Sequence, residues 1–119
     1  MDKPSQLIPF YPVPDLEAAR HFYQDLLGLP LYKDQGSVLI FEVCPGGAVG
    51  FCGYGELPAD PSAFFITLIV EDVDGWAQKL CQAGCRMLKA PTENPKFKIY
   101  QTLFQDPSGY TLEIQRFLD

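Results

Sequence analysis

One extended stretch of this chain occurs twice, as Ile8-Pro9-Phe10-Tyr11-Pro12-Val13-Pro14-Asp15-Leu16 and as Phe65-Ile66-Thr67-Leu68-Ile69-Val70-Glu71-Asp72-Val73. Each copy is a strand-like run that ends in an aspartate and precedes an amphipathic segment. Asp15 and Asp72 therefore lie where a carboxylate accepts backbone N–H groups of a first helical turn. Such a cap contributes about 1 kcal/mol to stability, which explains both aspartates without a catalytic or binding role. The repetition predicts two related halves.

Each half has the same predicted order of elements. Apolar residues after each aspartate recur with helical spacing, and Gly28 and Gly84 end the two helices. One short and two longer strands follow each helix, at 29–33, 38–43 and 48–54 in the first half and at 86–90, 97–104 and 110–117 in the second. Strong turn signals, Pro45-Gly46-Gly47 and Asp106-Pro107-Ser108-Gly109, separate the longer strands. This pattern predicts an α+β fold of two βαβββ modules.

The two modules are expected to form a single domain over residues 1–119, with module one at about 6–55 and module two at about 63–118. Pro58 and Pro61 mark the linker at 55–62. Three prolines, Pro9, Pro12 and Pro14, weaken the first strand because proline cannot donate to a ladder. That strand is predicted to be an edge or to be irregular toward its end.

Composition limits the possible functions. The chain is 47% hydrophobic and 20% charged, which is typical of a globular domain. A net charge of -6 argues against nucleic-acid binding, which needs a basic surface. No apolar run is long enough to span a membrane, and the N-terminus lacks the apolar core of a signal peptide. We therefore expect a cytoplasmic protein with reduced cysteines.

The four cysteines are predicted to be structural thiols, because no Cys-x-x-Cys pair is present and free cysteine behaves as a small buried hydrophobe. In a simple hairpin Cys44 would face Ala48 rather than Cys52. Gly84 is expected to end the second helix between Cys81 and Cys85.

The repeated βαβββ order, with Val13-Pro14-Asp15-Leu16 in the first half and Asp106-Pro107-Ser108-Gly109-Tyr110-Thr111-Leu112-Glu113-Ile114 in the second, resembles the vicinal oxygen chelate superfamily of glyoxalase, bleomycin-resistance and dioxygenase proteins. The resemblance covers nearly the whole chain. It implies a cup-shaped mixed sheet with helices on the outer face, a small-molecule ligand on the concave face, and a homodimer.

The resemblance also implies four metal-ligand positions. Carried onto this sequence, they are Ile8, Phe51, Phe65 and Glu113. Only Glu113 has a donor atom, whereas catalytic metal sites need about three protein ligands. A shift of register by one residue adds only Cys52. We therefore expect no metal and no other cofactor.

Strand alternation predicts the side chains that face the ligand. Phe10, Phe51 and Phe65 are expected to form an aromatic wall. The candidate ligand-binding residues are Ile8, Phe10, Phe51, Phe65, Thr67, Tyr100 and Glu113.

Glu113 is the candidate catalytic residue. It could act as a general base or as the counter-ion of a cationic ligand; alternatively, it is a structural carboxylate that Lys96, Lys98, Tyr100 or a water satisfies. The lone His21 is expected to be a surface residue with no orienting acid or nucleophile around it.

Three functions stay open. The first is a metal-independent protein that binds a small aromatic or amphipathic molecule, as in the bleomycin-binding branch. The second is an enzyme, a glyoxalase-like lyase or isomerase or a dioxygenase, with a rearranged metal site that uses Glu113 and Cys52. The third is a non-catalytic interaction subunit.

Overall fold

The computed structural model describes residues 1–119. The chain divides into two compact units, Met1–Pro58 and Ala59–Asp119, and the boundary falls inside the predicted linker. Each unit contains one four-stranded mixed sheet together with one main helix. The predicted α+β class and the βαβββ order of each module are thus confirmed. No helix in either unit combines the length and the apolar character that crossing a membrane requires.

The first unit contains strands β1 (Phe10–Pro12), β2 (Leu31–Asp34), β3 (Val38–Cys44) and β4 (Gly47–Cys52) in the order β1-β4-β3-β2. Strand β1 is parallel to β4, and the other pairs are antiparallel. Helix α1 (Leu16–Ala19) continues as a π-helix over Arg20–Leu26. The Asp15 carboxylate accepts hydrogen bonds from the backbone nitrogens of Glu17 (3.0 Å) and Ala18 (3.2 Å), which confirms the predicted cap.

The core of the first unit lies between this helix and the sheet. Tyr23, Phe41 and Phe51 are fully buried, and the ring centroids of Tyr23 and Phe51 are 4.4 Å apart. Successive strand residues point to opposite faces, so Leu39 and Val49, also buried, accompany Phe41 and Phe51 on the helix side.

The second unit contains β5 (Phe65–Ile69), β6 (Met87–Asn94), β7 (Ile99–Gln105) and β8 (Thr111–Phe117) in the order β5-β8-β7-β6, with helix α2 (Val73–Gln82) and a short 3₁₀ helix, Pro61–Ala63. Strand β5 is parallel to β8. The helix contacts β6, β7 and β8. Its buried residues are Val73, Ala77 and Leu80.

Both ends of α2 follow from the sequence. Asp72 accepts a hydrogen bond of 2.9 Å from the backbone nitrogen of Gly75. At the other end Gly84 has a φ of 83°, and the backbone nitrogen of Cys85 donates to the Leu80 carbonyl at 3.0 Å. This is a Schellman motif, for which a glycine in the left-handed region is preferred. The predicted end of the helix between Cys81 and Cys85 is confirmed.

Several local expectations need correction or refinement. Strand β1 is short and lies at a sheet edge, as its prolines predicted, but β6 extends to Asn94 instead of ending near residue 90. All four cysteines are free, yet Cys44 and Cys81 are exposed, so their expected burial is wrong. Cys44 faces Gly47 rather than Ala48, because the pairing of β3 with β4 shifts between Glu42 and Cys44.

Candidate functional site

Glu113 lies in the middle of the second unit's sheet, because β8 runs between β5 and β7. Its neighbours across the two ladders are Thr67 and Leu103. The side chain is buried, with 8% of the residue exposed. Thr67 Oγ1 donates to Glu113 Oε1 at 2.9 Å, and Gln101 Nε2 donates to Glu113 Oε2 at 2.5 Å. Each carboxylate oxygen therefore accepts one hydrogen bond from a neutral side chain.

A second layer of hydrogen bonds fixes the Gln101 amide. Its Oε1 accepts from Asn94 Nδ2 at 3.1 Å and from Lys89 Nζ at 3.4 Å, both on β6. Since Oε1 is held by two donors, Nε2 is directed toward Glu113. The hydrogen bonds thus extend across the sheet from β6 to β5 and hold the carboxylate in one orientation.

A pocket of about 590 Å³ lies over this face of the second unit. Its lining residues are Phe65, Asn94, Phe97, Ile99, Gln101, Leu103, Glu113, Gln115 and Phe117. Phe65, Phe97 and Phe117 are 47%, 63% and 59% exposed, so the pocket that contains the buried carboxylate also presents exposed aromatic carbon. Gln115 Oε1 is buried and accepts no hydrogen bond. Glu113 is the only ionisable residue in the lining.

Three of the predicted ligand-binding residues are brought together here. Phe65 and Glu113 line the pocket, and Thr67 hydrogen bonds to Glu113. The predicted alternation along β5 is confirmed, because Ile66 and Leu68 are buried whereas Phe65, Thr67 and Ile69 are exposed. Whether these residues bind a ligand stays a prediction.

Tyr100 lies on the opposite face of the sheet from Glu113 and is not part of the pocket lining, so the structure does not bring it together with the other candidates, and its predicted ligand binding stays a prediction. Its hydroxyl donates to Asp74 Oδ1 on α2 at 2.6 Å, and the Arg116 guanidinium lies 5.2 Å from its ring centroid. The hydrogen bond to Asp74 raises the pKa of Tyr100 above its usual value, with smaller contributions from desolvation and from the Asp74 charge. Gln101, the next residue, takes the place beside Glu113.

The partners expected for a structural carboxylate were also wrong. Thr67 and Gln101 satisfy Glu113, rather than Lys96, Lys98 or Tyr100. Gln101 was not among the candidate residues. Gln101 lies two residues from Leu103, which pairs directly with Glu113, so its face is evident only once the register of β7 and β8 is known.

In the first unit the predicted orientation of Phe51 is wrong. Its ring packs against Tyr23 on the helix side. The residues paired in register are Phe10 and Gly50, which correspond to Thr67 and Glu113 in the second unit. A Cβ at Gly50 would overlap with Cδ1 and Cε1 of the Phe10 ring. The counterpart of the carboxylate is thus a glycine beneath an aromatic ring.

The face of the first unit around Phe10 is apolar. Val38, Ile40 and Ala48 form a buried cluster there, and Ile8 and Cys52 pack against it. Ile8 therefore contacts this cluster, and the predicted exposure of Ile8 and Phe10 to a ligand stays a prediction. The alternative use of Cys52 as a metal ligand gains no second donor from this cluster.

The residues around Glu113 do not fit the divalent-metal site that the sequence resemblance implies. Glu113 has a hydroxyl and a primary amide as its neighbours, whereas transition metals in proteins are held by imidazole, thiolate and carboxylate groups. No group of three or more His, Cys, Asp or Glu side chains in the chain could hold a metal ion.

His21 lies on the exposed surface of the first helix, as predicted. Contrary to the prediction, an acid lies beside it, since His21 Nδ1 is 2.8 Å from Asp25 Oδ2. The two side chains are one helical turn apart and 76% and 60% exposed. This geometry is typical of a surface pair on a helix.

Comparisons with known proteins agree with this architecture. A structure of a glyoxalase/dioxygenase from Nostoc punctiforme is 21% identical in sequence and has a TM-score of 0.78. The alignment covers 98% of this chain and 92% of the Nostoc chain. A glyoxalase/bleomycin resistance protein from Streptomyces sp. CB03234 is 25% identical in sequence, with a TM-score of 0.73. The alignment covers 94% of this chain and 100% of the Streptomyces chain. No curated protein matches the chain.

A family comparison covers most of the sequence. The model of the Glyoxalase/Bleomycin resistance protein/Dioxygenase superfamily matches residues 7–114. These residues include both main helices, strands β1 to β7 and the first part of β8. The chain therefore belongs to the glyoxalase/bleomycin resistance protein/dioxygenase superfamily.

Proposed function

We propose that this chain binds a small aromatic or amphipathic molecule in the pocket beside Glu113, without a metal ion. The observation that carries the proposal is a buried carboxylate in the lining of a pocket that also presents exposed aromatic carbon. Ligand pockets combine mostly apolar walls with a few placed polar groups that fix orientation. This pocket has that composition and a volume of about 590 Å³, which lies within the range of small-molecule sites.

The aromatic side chains would supply most of the affinity. A flat ligand that covers Phe65, Phe97 and Phe117 removes apolar surface from water, which contributes about 25 cal/mol per Å². Stacking on the rings adds about 0.5–1.5 kcal/mol for each pair. The carboxylate would then orient the ligand, because each Glu113 oxygen retains acceptor capacity beyond its one hydrogen bond.

The donor set around Glu113 supports metal independence. One carboxylate, one hydroxyl and one amide do not form the set of about three ligands that a catalytic zinc needs. Glu113 is accordingly proposed as a binding group rather than as a metal ligand. A catalytic role as a general base would require a substrate proton within hydrogen-bonding reach of the same carboxylate.

Thermal-shift and calorimetric screening with small aromatic compounds tests this proposal. We expect saturable binding that a chelator does not change. Phe97→Ala should weaken it about tenfold, corresponding to about 1.4 kcal/mol. Tyr32→Ala is the matched control, because Tyr32 is an exposed aromatic of the first unit. Failure of every compound to bind would contradict the proposal, as would a stoichiometric transition metal in protein purified without chelators.

We further propose that the protein is a cytoplasmic homodimer. The four free cysteines support a reducing compartment, and exposed large apolar side chains such as Leu7 and Phe64 support a protein interface. Light scattering across a concentration series tests the dimer, and cell fractionation tests the location. A monomer at all concentrations, or a secreted protein, would contradict these two statements.

A further inference from the structure

We infer that the ligand of this pocket carries a cationic nitrogen group with several N–H donors, such as an amidinium, that binds between Glu113 and Gln115. The inference rests on the proposed function and specifies the chemical class of the ligand. Its basis is the direction of the hydrogen bonds in the pocket and the sign of the only charge in its lining.

Two donors already point at the carboxylate. The Thr67 hydroxyl proton and one N–H of Gln101 point at the two oxygens of Glu113. The carbonyl of Gln101 is in turn occupied by Asn94 and Lys89. The network therefore offers a ligand the second lone pairs of the carboxylate oxygens, which are acceptor sites, beside the remaining N–H of the Gln101 amide.

Gln115 adds a second acceptor on the same face. Its Oε1 is buried and accepts no hydrogen bond, and the residue Gln115 lines the same pocket as Glu113. Residues two apart on a strand lie on one face, separated by roughly 7 Å along the strand. A buried acceptor without a donor carries a free-energy cost. A ligand with N–H groups directed at both residues would remove this cost.

The negative charge of Glu113 also favours a ligand with cationic N–H donors. Glu113 is buried, and its hydrogen-bond partners are neutral. The one ammonium group in the network, Lys89, bonds to Gln101 instead of to Glu113. A buried charge is costly unless it is paired, so a cationic ligand gains an ion pair that a neutral ligand lacks. An anionic ligand would face both this charge and the Gln115 acceptor.

Three ligands of equal shape test the inference: 2-naphthamidine, 2-naphthamide and 2-naphthoate. Calorimetry on the full chain should give an affinity for the amidine at least about tenfold above that for the amide, with the carboxylate weakest. Glu113→Gln should remove the preference for the amidine. Because Glu113 is buried and its variant could lose stability, Gln115→Glu is the second variant. It adds a charge at a partly exposed position and should strengthen amidine binding about tenfold.

The outcomes separate the inference from the proposed function. If the amide or the carboxylate binds as tightly as the amidine, or if Gln115→Glu leaves amidine affinity unchanged, the inference is wrong while the proposed pocket stands. The same holds if other aromatic compounds bind and the amidine does not. If no aromatic compound of any charge binds, both are wrong.

Discussion

Gln101 Nε2 lies 2.5 Å from Glu113 Oε2, although the two residues are not direct partners in the ladder between β7 and β8. Gln101 pairs with Gln115, and Glu113 pairs with Leu103, so the contact is diagonal. Long side chains bridge such diagonal positions on one face of a sheet. The orientation of the buried carboxylate therefore depends on the register of β7 as well as on β8 itself.

This contact predicts the effect of Gln101→Glu. The variant places a second carboxylate against Glu113, and we expect a loss of about 2–3 kcal/mol in the free energy of unfolding at neutral pH. Acidification should restore part of the loss, because protonation of the introduced carboxyl removes the repulsion. Urea unfolding at neutral and acidic pH measures both effects. Gln78→Glu, at an exposed position of α2, is the control, and an equal loss in both variants would contradict the prediction.

The contact between Phe10 and Gly50 predicts a non-additive pair of substitutions. Gly50→Ala alone should destabilise the chain by about 1–2 kcal/mol, since the new Cβ overlaps with the Phe10 ring. In a Phe10→Ala background the same change should be neutral or stabilising, because alanine suits a strand better than glycine. A double-mutant cycle from urea unfolding measures the coupling. Additive effects would show that the ring is not where the register places it.

At the end of α2, substitution of Gly84 should change stability through the backbone conformation and not through a steric clash. Gly84 has a φ of 83°, and a Cβ there would meet nothing within 4 Å. Gly84→Ala should therefore cost about 1 kcal/mol through conformation alone. Gly84→Asn should cost less, since asparagine tolerates the left-handed region. Thermal or urea unfolding of the two variants measures this difference, and equal stabilities would argue against the Schellman motif.

The hydrogen bond between Tyr100 and Asp74 predicts a shift in tyrosine ionisation. Because the Tyr100 hydroxyl donates to the Asp74 carboxylate, the pKa of Tyr100 is higher in the folded chain than in the unfolded one. The resulting stabilisation is present below the unfolded pKa and is lost as the pH rises through the folded pKa. Asp74→Asn should lower the pKa of Tyr100 in a tyrosinate absorbance titration, and Tyr100→Phe identifies the affected group. Asp60→Asn, another exposed aspartate of the unit, should leave the titration unchanged.

Much of the fold could be predicted because its signals are local. Asp15 and Asp72 marked the helix starts, and Gly84 marked a helix end. Alternation along β5 and β8 placed Thr67 and Glu113 on one face, and the hydrogen bond between them agrees with that placement. These features depend on spacing within one element, which a single sequence records.

The errors concern pairing between strands, which a single sequence does not record. The sequence resemblance makes Phe51 the counterpart of Glu113, but Gly50 holds that position in the register. A difference of one residue reverses the face of every side chain. Gln101 was missed for a related reason, since its importance comes from a diagonal contact across β7 and β8. The sequence repeat is clear around the two helix starts, Asp15 and Asp72, and it is too weak in the last strand of each module to show that Gly50 corresponds to Glu113.

The glycine beneath the Phe10 ring also limits stoichiometry. Although the architecture is repeated, the carboxylate with its hydroxyl and amide partners is present in one copy for each chain. An isotherm for a ligand that depends on this carboxylate should therefore saturate at one equivalent per chain.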